Sequence, residues 1–311
     1  MKVLVTGAAG FIGSHFCEAL AEQDHEVIGL DNFSNYYSVA LKKKNAETLE
    51  KKGISMIAAD LLNPEFSVEI PENINYIFHF AAQPGIDRNT SFDAYLNNNF
   101  IATQNLLKFA EKLPDLKMFV HISTSSVYGQ MATSAETEVT LPVSDYGVTK
   151  LAAEQLVLAR SRLGILKATS LRLYSVFGPR ERPDKLFTRL IDCALNDKEF
   201  PLFENSLKHI RSFTYVEDIV NGVLAVMGKE EQCNNEVFNI GSEHEYTTRE
   251  GVDSVEKITG KKIKMKILEP RPGDQLRTNA NIEKARKILG YHPKTSLYKG
   301  LEKQVAWFKN C

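Results

Sequence analysis

Within its first twenty residues the chain passes from a short apolar strand into a glycine loop and then a helix, and this narrows its fold more than anything that follows. Val3-Leu4-Val5 reads as a buried strand, Gly7, Gly10 and Gly13 follow at three-residue spacing, and Phe11, Ile12, Phe16 and Leu20 recur with a helical period. A unit of this kind makes a phosphate cradle. The glycines permit a tight turn and close backbone approach to a pyrophosphate, while the helix N-terminus offers unpaired N–H groups and a partial positive charge. The spacing Gly-x-x-Gly-x-x-Gly departs from the commoner Gly-x-Gly-x-x-Gly, and glycine turns also serve merely to lay a helix close on a sheet. Its place at the first strand favours the nucleotide-binding reading.

The strands that follow carry polar residues at their ends. Glu26 to Leu30 forms a second strand that ends in Asp31-Asn32, where an acid can accept hydrogen bonds from an adenosine ribose. No arginine follows to receive a 2′-phosphate, which favours NAD over NADP. A lysine-rich helix is expected before Lys52, with Lys42, Lys43 and Lys44 on a solvated face. The third strand, Ile54 to Ala58, is closed by Asp60-Leu61, which an adenine amino group can meet. The fourth, Tyr76 to Phe80, carries His79 as an expected core histidine and runs into Ala81-Ala82-Gln83-Pro84-Gly85, where backbone can approach a cofactor. A long helix from about Ser91 to Lys112 bears Asn97, Asn98 and Asn99, and the fifth strand, Met118 to Ile122, ends in the hydroxyls of Ser123, Thr124, Ser125 and Ser126.

About twenty residues on, Tyr146 and Lys150 open a helix at i and i+4, on one face. A free tyrosine, with pKa of about 10, is a poor base at neutral pH. A neighbouring ammonium and an oxidised nicotinamide favour the phenolate, and Thr124 is placed to hydrogen-bond the same substrate oxygen. Alone, Tyr-x-x-x-Lys is a weak motif; after the glycine loop, Asp31 and the hydroxyl-ended strand, it is a strong one.

The second half reads as helices over Leu186 to Leu195, Asp218 to Met227, Asn281 to Leu289 and Leu297 to Phe308, with Trp307 in the core and a strand over Glu236 to Ile240. The fold class expected is α/β, a Rossmann-type doubly wound parallel sheet with a smaller C-terminal lobe. Residues 1–173 form the nucleotide-binding domain, about 211–240 return to it, and 174–210 with 241–311 form the substrate lobe. The net charge of −1 gives no reason to invoke nucleic acid or an anionic membrane. Cys17, Cys193, Cys233 and Cys311 lack C-x-x-C spacing and read as reduced thiols of a cytoplasmic protein. No apolar run approaches a membrane span of roughly 20 residues. No cleaved signal peptide and no metal site are expected.

With these residues in view, the chain resembles the extended short-chain dehydrogenase/reductases, specifically the nucleotide-sugar epimerases and dehydratases. The resemblance covers nearly the whole chain. It rests on Gly7/Gly10/Gly13, Asp31, Asp60-Leu61, His79 to Ala82, Asn99, Ser123 to Gly129 and Tyr146/Lys150. It continues in Arg172-Leu173-Tyr174, Phe177-Gly178-Pro179, Arg211 to Asp218 and Arg271-Pro272-Gly273-Asp274. It implies that Arg211 and Arg271 bind a nucleotide diphosphate and that Asp274 holds a uridine ribose. It also implies a homodimer built on the helices near Ser91–Lys112 and Asp145–Leu163.

Ser125-Ser126 stand where 4,6-dehydratases carry Asp-Glu, and where UDP-glucuronate decarboxylases carry a glutamate at the Ser126 position, so redox-neutral chemistry at C4 is implied. Asp31 to Tyr37, with Leu41-Lys42, and Gly178 to Asp184 resemble UDP-glucuronate 4-epimerases, in which the counterpart of Arg182 faces the sugar carboxylate. The expected activity is NAD-dependent epimerisation of UDP-glucuronate to UDP-galacturonate through a 4-keto intermediate. The alternatives are a UDP-glucose or UDP-N-acetylglucosamine 4-epimerase and a non-catalytic NAD-binding regulator. Ser175, where UDP-galactose 4-epimerases usually have asparagine, Asp87-Arg88 and Lys185 depart from the usual patterns and bear on the sugar rather than the redox chemistry.

Overall fold

The computed structural model describes residues 1–85, 90–269 and 275–310. Its centre is a seven-stranded, wholly parallel sheet. The first five strands in the chain are β1 (Lys2–Thr6), β2 (Glu26–Asp31), β3 (Ser55–Ala58), β4 (Tyr76–His79) and β5 (Met118–Thr124). Across the sheet the order is Glu236–Ile240, Ala168–Leu173, β5, β4, β1, β2, β3. The chain reverses its winding direction between β1 and β4, and ligands bind in such sheets at the crevice this creates. Strands buried on both faces explain the continuous apolar runs: β1 and β5 are almost fully buried along their length.

On one face lie α1 (Phe11–Ala21) and the helices Val216–Leu224 and Glu283–Leu289, around Phe16, Phe78, Val120, Ile219 and Phe238. On the other, Ala102–Ala110 and Asp145–Arg162 cover Leu4, Ile77, Phe119 and Ala168. A separate core holds Phe177, Phe187, Ile191, Phe200, Val252, Val255, Leu301 and Val305, and Phe11 at the start of α1 packs into it. The helix after the glycine loop therefore touches two of the three cores.

The strand Glu236–Ile240 pairs with Ala168–Leu173 in the main sheet. The expected helix after Ser91 is Phe92–Tyr95, a π-helical turn Leu96–Ile101, and Ala102–Ala110. Two expectations fail. Trp307 is half-buried and lies outside the three cores. Lys42 is buried, not solvated: its Nζ donates to the carbonyl and hydroxyl oxygens of Ser34 at 2.8 and 2.9 Å and lies 4.6 Å from the centre of the Tyr37 ring. The loop after β2 folds back over this ammonium, whereas Lys43 and Lys44 are exposed.

Candidate active site

A cavity of about 730 Å³ opens above the C-terminal ends of β1, β2, β4 and β5. Gly7, with φ of +69°, turns the chain out of β1, and a Cβ there would sit 2.8 Å from the Ala81 nitrogen. A Cβ on Gly13 would collide with the Gly7 carbonyl oxygen, so α1 is drawn against the loop as closely as backbone allows. Gly7, Gly10, Phe11, Ile12 and Gly13 all border the cavity. This cradle, with the start of α1 behind it, fits a dinucleotide pyrophosphate.

Asp31 closes β2 and is buried. Its Oδ2 accepts from Ala9 N–H at 3.1 Å and its Oδ1 from Phe33 N–H at 2.8 Å, while burial raises its pKa. Asn32 donates to Asp60 at 3.0 Å, and Asn32, Asp60 and Leu61 border the same end of the cavity. Ala81 and Ala82 line it next, Ala81 N–H donating to Thr6 Oγ1 at 3.3 Å. Buried Asn99 comes from the π-helical turn. Its Oδ1 accepts from Gln83 N–H at 2.7 Å and its Nδ2 donates to Thr149 at 3.1 Å, so it ties the Ala-Ala-Gln loop to the helix bearing Tyr146 and Lys150. π-turns of this kind recur at functional sites.

Ser144 caps the helix Asp145–Arg162 by accepting from Gly147 N–H, which starts the helix one residue before Tyr146. Tyr146, Lys150 and Thr124 meet at one wall of the cavity. Burial raises the phenol pKa, against the opposing effects of a hydrogen bond with Thr124 and the charge of Arg182. Burial also lowers the Lys150 ammonium to about 7, against the attraction of Glu154 one turn on. The balance differs from the expected lowering of the tyrosine by its lysine, because desolvation works against the charge on both groups.

Thr124 Oγ1 accepts from Ser126 N–H at 3.1 Å, capping the short helical turn Ser125–Tyr128 and turning both serines toward the cavity wall. Ser175, Arg182 and Arg211 also border the cavity. Arg182 lies 5.4 Å from the centre of the Tyr36 ring, with its side chain 11% exposed. Arg271 and Asp274 lie outside the described residues, as do Asp87 and Arg88.

The sequence alone assigns no role to four neighbours of this site, although Tyr36 and Asp184 lie in the stretches that carry the resemblance. Asp184 pairs with Arg182, and Tyr36 underlies it. Gln275 donates to Ser125 O at 3.3 Å and Gly129 O at 3.0 Å. Glu154 was visible as the next member of the Tyr146, Lys150 four-residue series. For Asp184 only its place two residues after Arg182 was available.

A parallel sheet in this order, with a glycine cradle at β1, an acid ending β2 and a tyrosine–lysine pair beside a strand-end threonine, defines a dinucleotide-dependent protein of the short-chain dehydrogenase/reductase class. Within that class, the chain belongs to the NAD dependent epimerase/dehydratase family, whose model matches residues 3–241. It is 38% identical over its full length to an uncharacterized UDP-glucose epimerase of Bacillus subtilis, covering 98% of that protein. It is 34% identical to UDP-glucuronate 4-epimerase 4 of Arabidopsis thaliana, over 99% of this chain and 75% of that one. The crystal structure of UDP-glucuronic acid 4-epimerase from Bacillus cereus, in complex with UDP-glucuronic acid and NAD, is similar with a TM-score of 0.93. Identity there is 37%, covering 100% of this chain and 99% of that one.

Proposed function

We propose that the protein is a UDP-sugar 4-epimerase that interconverts UDP-glucuronate and UDP-galacturonate, with NAD as its cofactor. The observation that carries this reading is the seating of Arg182, nearly buried, in one cavity with Thr124, Tyr146, Lys150 and the serines 125 and 126. A guanidinium and hydroxyls beside the reacting centre suit a sugar carboxylate. The likeness to the Bacillus cereus enzyme, described with UDP-glucuronic acid and NAD, supports the same substrate.

A bound NAD would supply the hydride acceptor and donor for C4, with the cavity residues holding it. Tyr146 takes the proton of the C4 hydroxyl and gives it back; Thr124 hydrogen-bonds that oxygen throughout. Lys150 supports the phenolate and holds the nicotinamide ribose. The 4-keto sugar turns about its phosphate linkage to present its other face. Arg182, Ser125 and Ser126 hold the carboxylate away from the orientation that favours loss of CO₂, and Ser175 borders the same sugar. Gly7, Gly10, Phe11, Ile12 and Gly13 would cradle the cofactor pyrophosphate, Asp31 and Asn32 its ribose, Asp60 and Leu61 its adenine, and Ala81 and Ala82, on the loop that Asn99 ties down from behind, its nicotinamide half. Arg211 holds the substrate diphosphate, a role shared with Arg271, while Asp274 takes the uridine ribose; for these last two the support is the family resemblance alone.

Residues 1–173, with 211–240, serve the cofactor, and 174–210 with 241–311 serve the UDP-sugar. Among the described residues no helix is long and apolar enough to cross a membrane, and the site of action we propose is the cytoplasm. Phe92 and Val148, exposed on the helical segments that flank Tyr146, support a homodimer through those faces.

Proton NMR of UDP-glucuronate with the protein and catalytic NAD tests the reading at the anomeric signal. UDP-galacturonate should appear without CO₂. Interconversion of UDP-glucose alone would keep the mechanism and discard the sugar.

A further inference from the structure

The segment that delivers Arg182 is held at every step. The Pro179 carbonyl lies 2.9 Å from His15 Nε2, and Arg180 donates to Glu18 at 3.0 Å, both partners on α1. Glu181 is buried and accepts from the Thr188 N–H and hydroxyl at 2.9 Å and from Gln304 at 2.8 Å. Between these anchors and the helix Leu186–Leu195, Arg182 turns into the cavity with two of its donors already engaged. Nε reaches Asp184 Oδ1 at 3.0 Å and Nη2 reaches Oδ2 at 2.9 Å, a two-point guanidinium–carboxylate pair. The same guanidinium lies over Tyr36, on the loop that follows β2.

The two partners differ in how firmly they are placed. The Arg182 side chain is 11% exposed and Asp184 is 45% exposed, so the arginine is fixed in the wall and the aspartate sits at the mouth. A nearly buried guanidinium requires a counter-charge, whereas a half-exposed carboxylate gives up such a pair for water at small cost. When a sugar without a carboxylate enters, the internal pair can stay closed and no buried charge is stranded. When an acidic sugar enters, its carboxylate meets an arginine that already has one. Deepening the assignment of Arg182 to the sugar carboxylate, on which it rests, we infer that Asp184 is an internal counter-ion that stands in for that carboxylate. Its competition for Arg182 sets the preference between acidic and neutral UDP-sugars.

Asp184 is thus a specificity-determining positioning residue, and it acts through Arg182. A second consequence reaches Tyr146, which feels the Arg182 charge. The groups that act on the phenol are Thr124 from β5, Arg182 from this segment and Tyr95 from the helix Phe92–Tyr95, while Lys150, one turn along on the helix of Tyr146, borders the same cavity. Of these only Arg182 is changed in net charge environment by removing Asp184.

The experiment compares wild type, Asp184→Asn and Asp184→Glu on UDP-glucuronate and UDP-glucose, with kcat and KM against pH for each. Asp184→Asn should raise the acidic-to-neutral ratio of kcat/KM by about tenfold, mainly through KM for the acid, the size of one interaction of about 1.4 kcal/mol. It should also move the acid limb of the kcat profile to lower pH on whichever sugar is turned over. Asp184→Glu, which keeps the charge, should stay near the wild-type ratio and limb. An Asp184→Asn enzyme that binds NAD normally but loses both sugars equally, with its acid limb unmoved, would overturn the inference and leave Asp184 a structural brace. Failure of the substrate assignment looks different: wild type would ignore UDP-glucuronate altogether, while the limb shift on the neutral sugar would still report the counter-ion role.

Discussion

Tyr146 and Lys150 illustrate how little a motif says about the charge state of its members. In the folded chain both are pushed toward neutrality by desolvation, the phenol upward and the ammonium down to about 7. Removing the phenol oxygen with Tyr146→Phe should cut kcat by about 10²- to 10⁴-fold, the usual worth of a positioned acid–base group, while NAD binding followed by fluorescence titration stays near wild type. The lysine makes a separate prediction about stability. Below pH of about 7 both the folded and unfolded chains hold the Lys150 proton. Between about 7 and the ordinary lysine value of 10.5 only the unfolded chain holds it, so stability must rise with pH across that window. Other groups act more weakly in this window: His79, lowered to about 3, is neutral in both states, whereas the thiols of Cys17, Cys193 and Cys233, raised by burial above the ordinary 9.0, work against the rise only from about pH 8, and Tyr146 and Tyr174 only toward pH 10. The melting temperature of the cofactor-free protein should therefore climb from pH 7 to 9, and Lys150→Met should remove a distinct part of that climb. Equal slopes in the two proteins would show that Lys150 keeps its charge when folded.

At the scale of elements, the cradle depends on backbone touching backbone. Gly13→Ala places a methyl against the Gly7 carbonyl, which no side-chain rotation relieves. The expected outcome is a loss of about 1–3 kcal/mol in denaturant unfolding and a weaker hold on NAD in equilibrium dialysis. This part of the fold was legible because strand, glycine spacing and helix are all local. The Leu186–Leu195 helix was legible for the same reason, its apolar residues recurring every three or four positions. The helix Thr248–Thr259 was passed over, although Thr247 and Glu250 form a capping box and Gly260 ends it with φ of +70°. Its large apolar residues reduce to Val252, Val255 and Ile258, a stripe too thin to stand out from polar surroundings. The two-residue strands Ile210–Arg211, Tyr246–Thr247 and Arg277–Thr278 carry no period at all; their pairing is created by the lobe they join. In the site, Tyr146, Lys150 and Thr124 were readable from spacing and strand ends. The Asp184 pairing and the burial of Lys42 were not, since each depends on how a loop folds back on itself.

At the scale of the whole molecule, one buried polar cluster joins parts distant in sequence. Glu154, on the helix that carries Tyr146 and Lys150, takes Arg172 at 2.6 and 3.0 Å, and Arg172 donates to the Tyr128 hydroxyl at 2.7 Å. Tyr128 in turn donates to Asn239 at 2.9 Å, on the strand by which the chain returns to the sheet. Asn239 reaches the carbonyls of Ser134 and Asn281, at 3.1 Å each. The helix of Tyr146 and Lys150, the serine turn and the returning strand thus share a single network with almost no access to water. Glu154→Gln strands the guanidinium and should cost about 3–5 kcal/mol in urea unfolding, the range for breaking a buried pair from one side. The double change Glu154→Gln with Arg172→Met removes both charges and should recover much of that loss, because the stranded charge rather than the missing attraction dominates the single variant. The two effects separate in the site as well. Lys150 is drawn toward its charged form by Glu154, so both variants should push the acid–base transition of Lys150 downward even where the double variant is nearly as stable as wild type. A double variant that regained stability together with the wild-type pH profile would confine Glu154 to holding the fold.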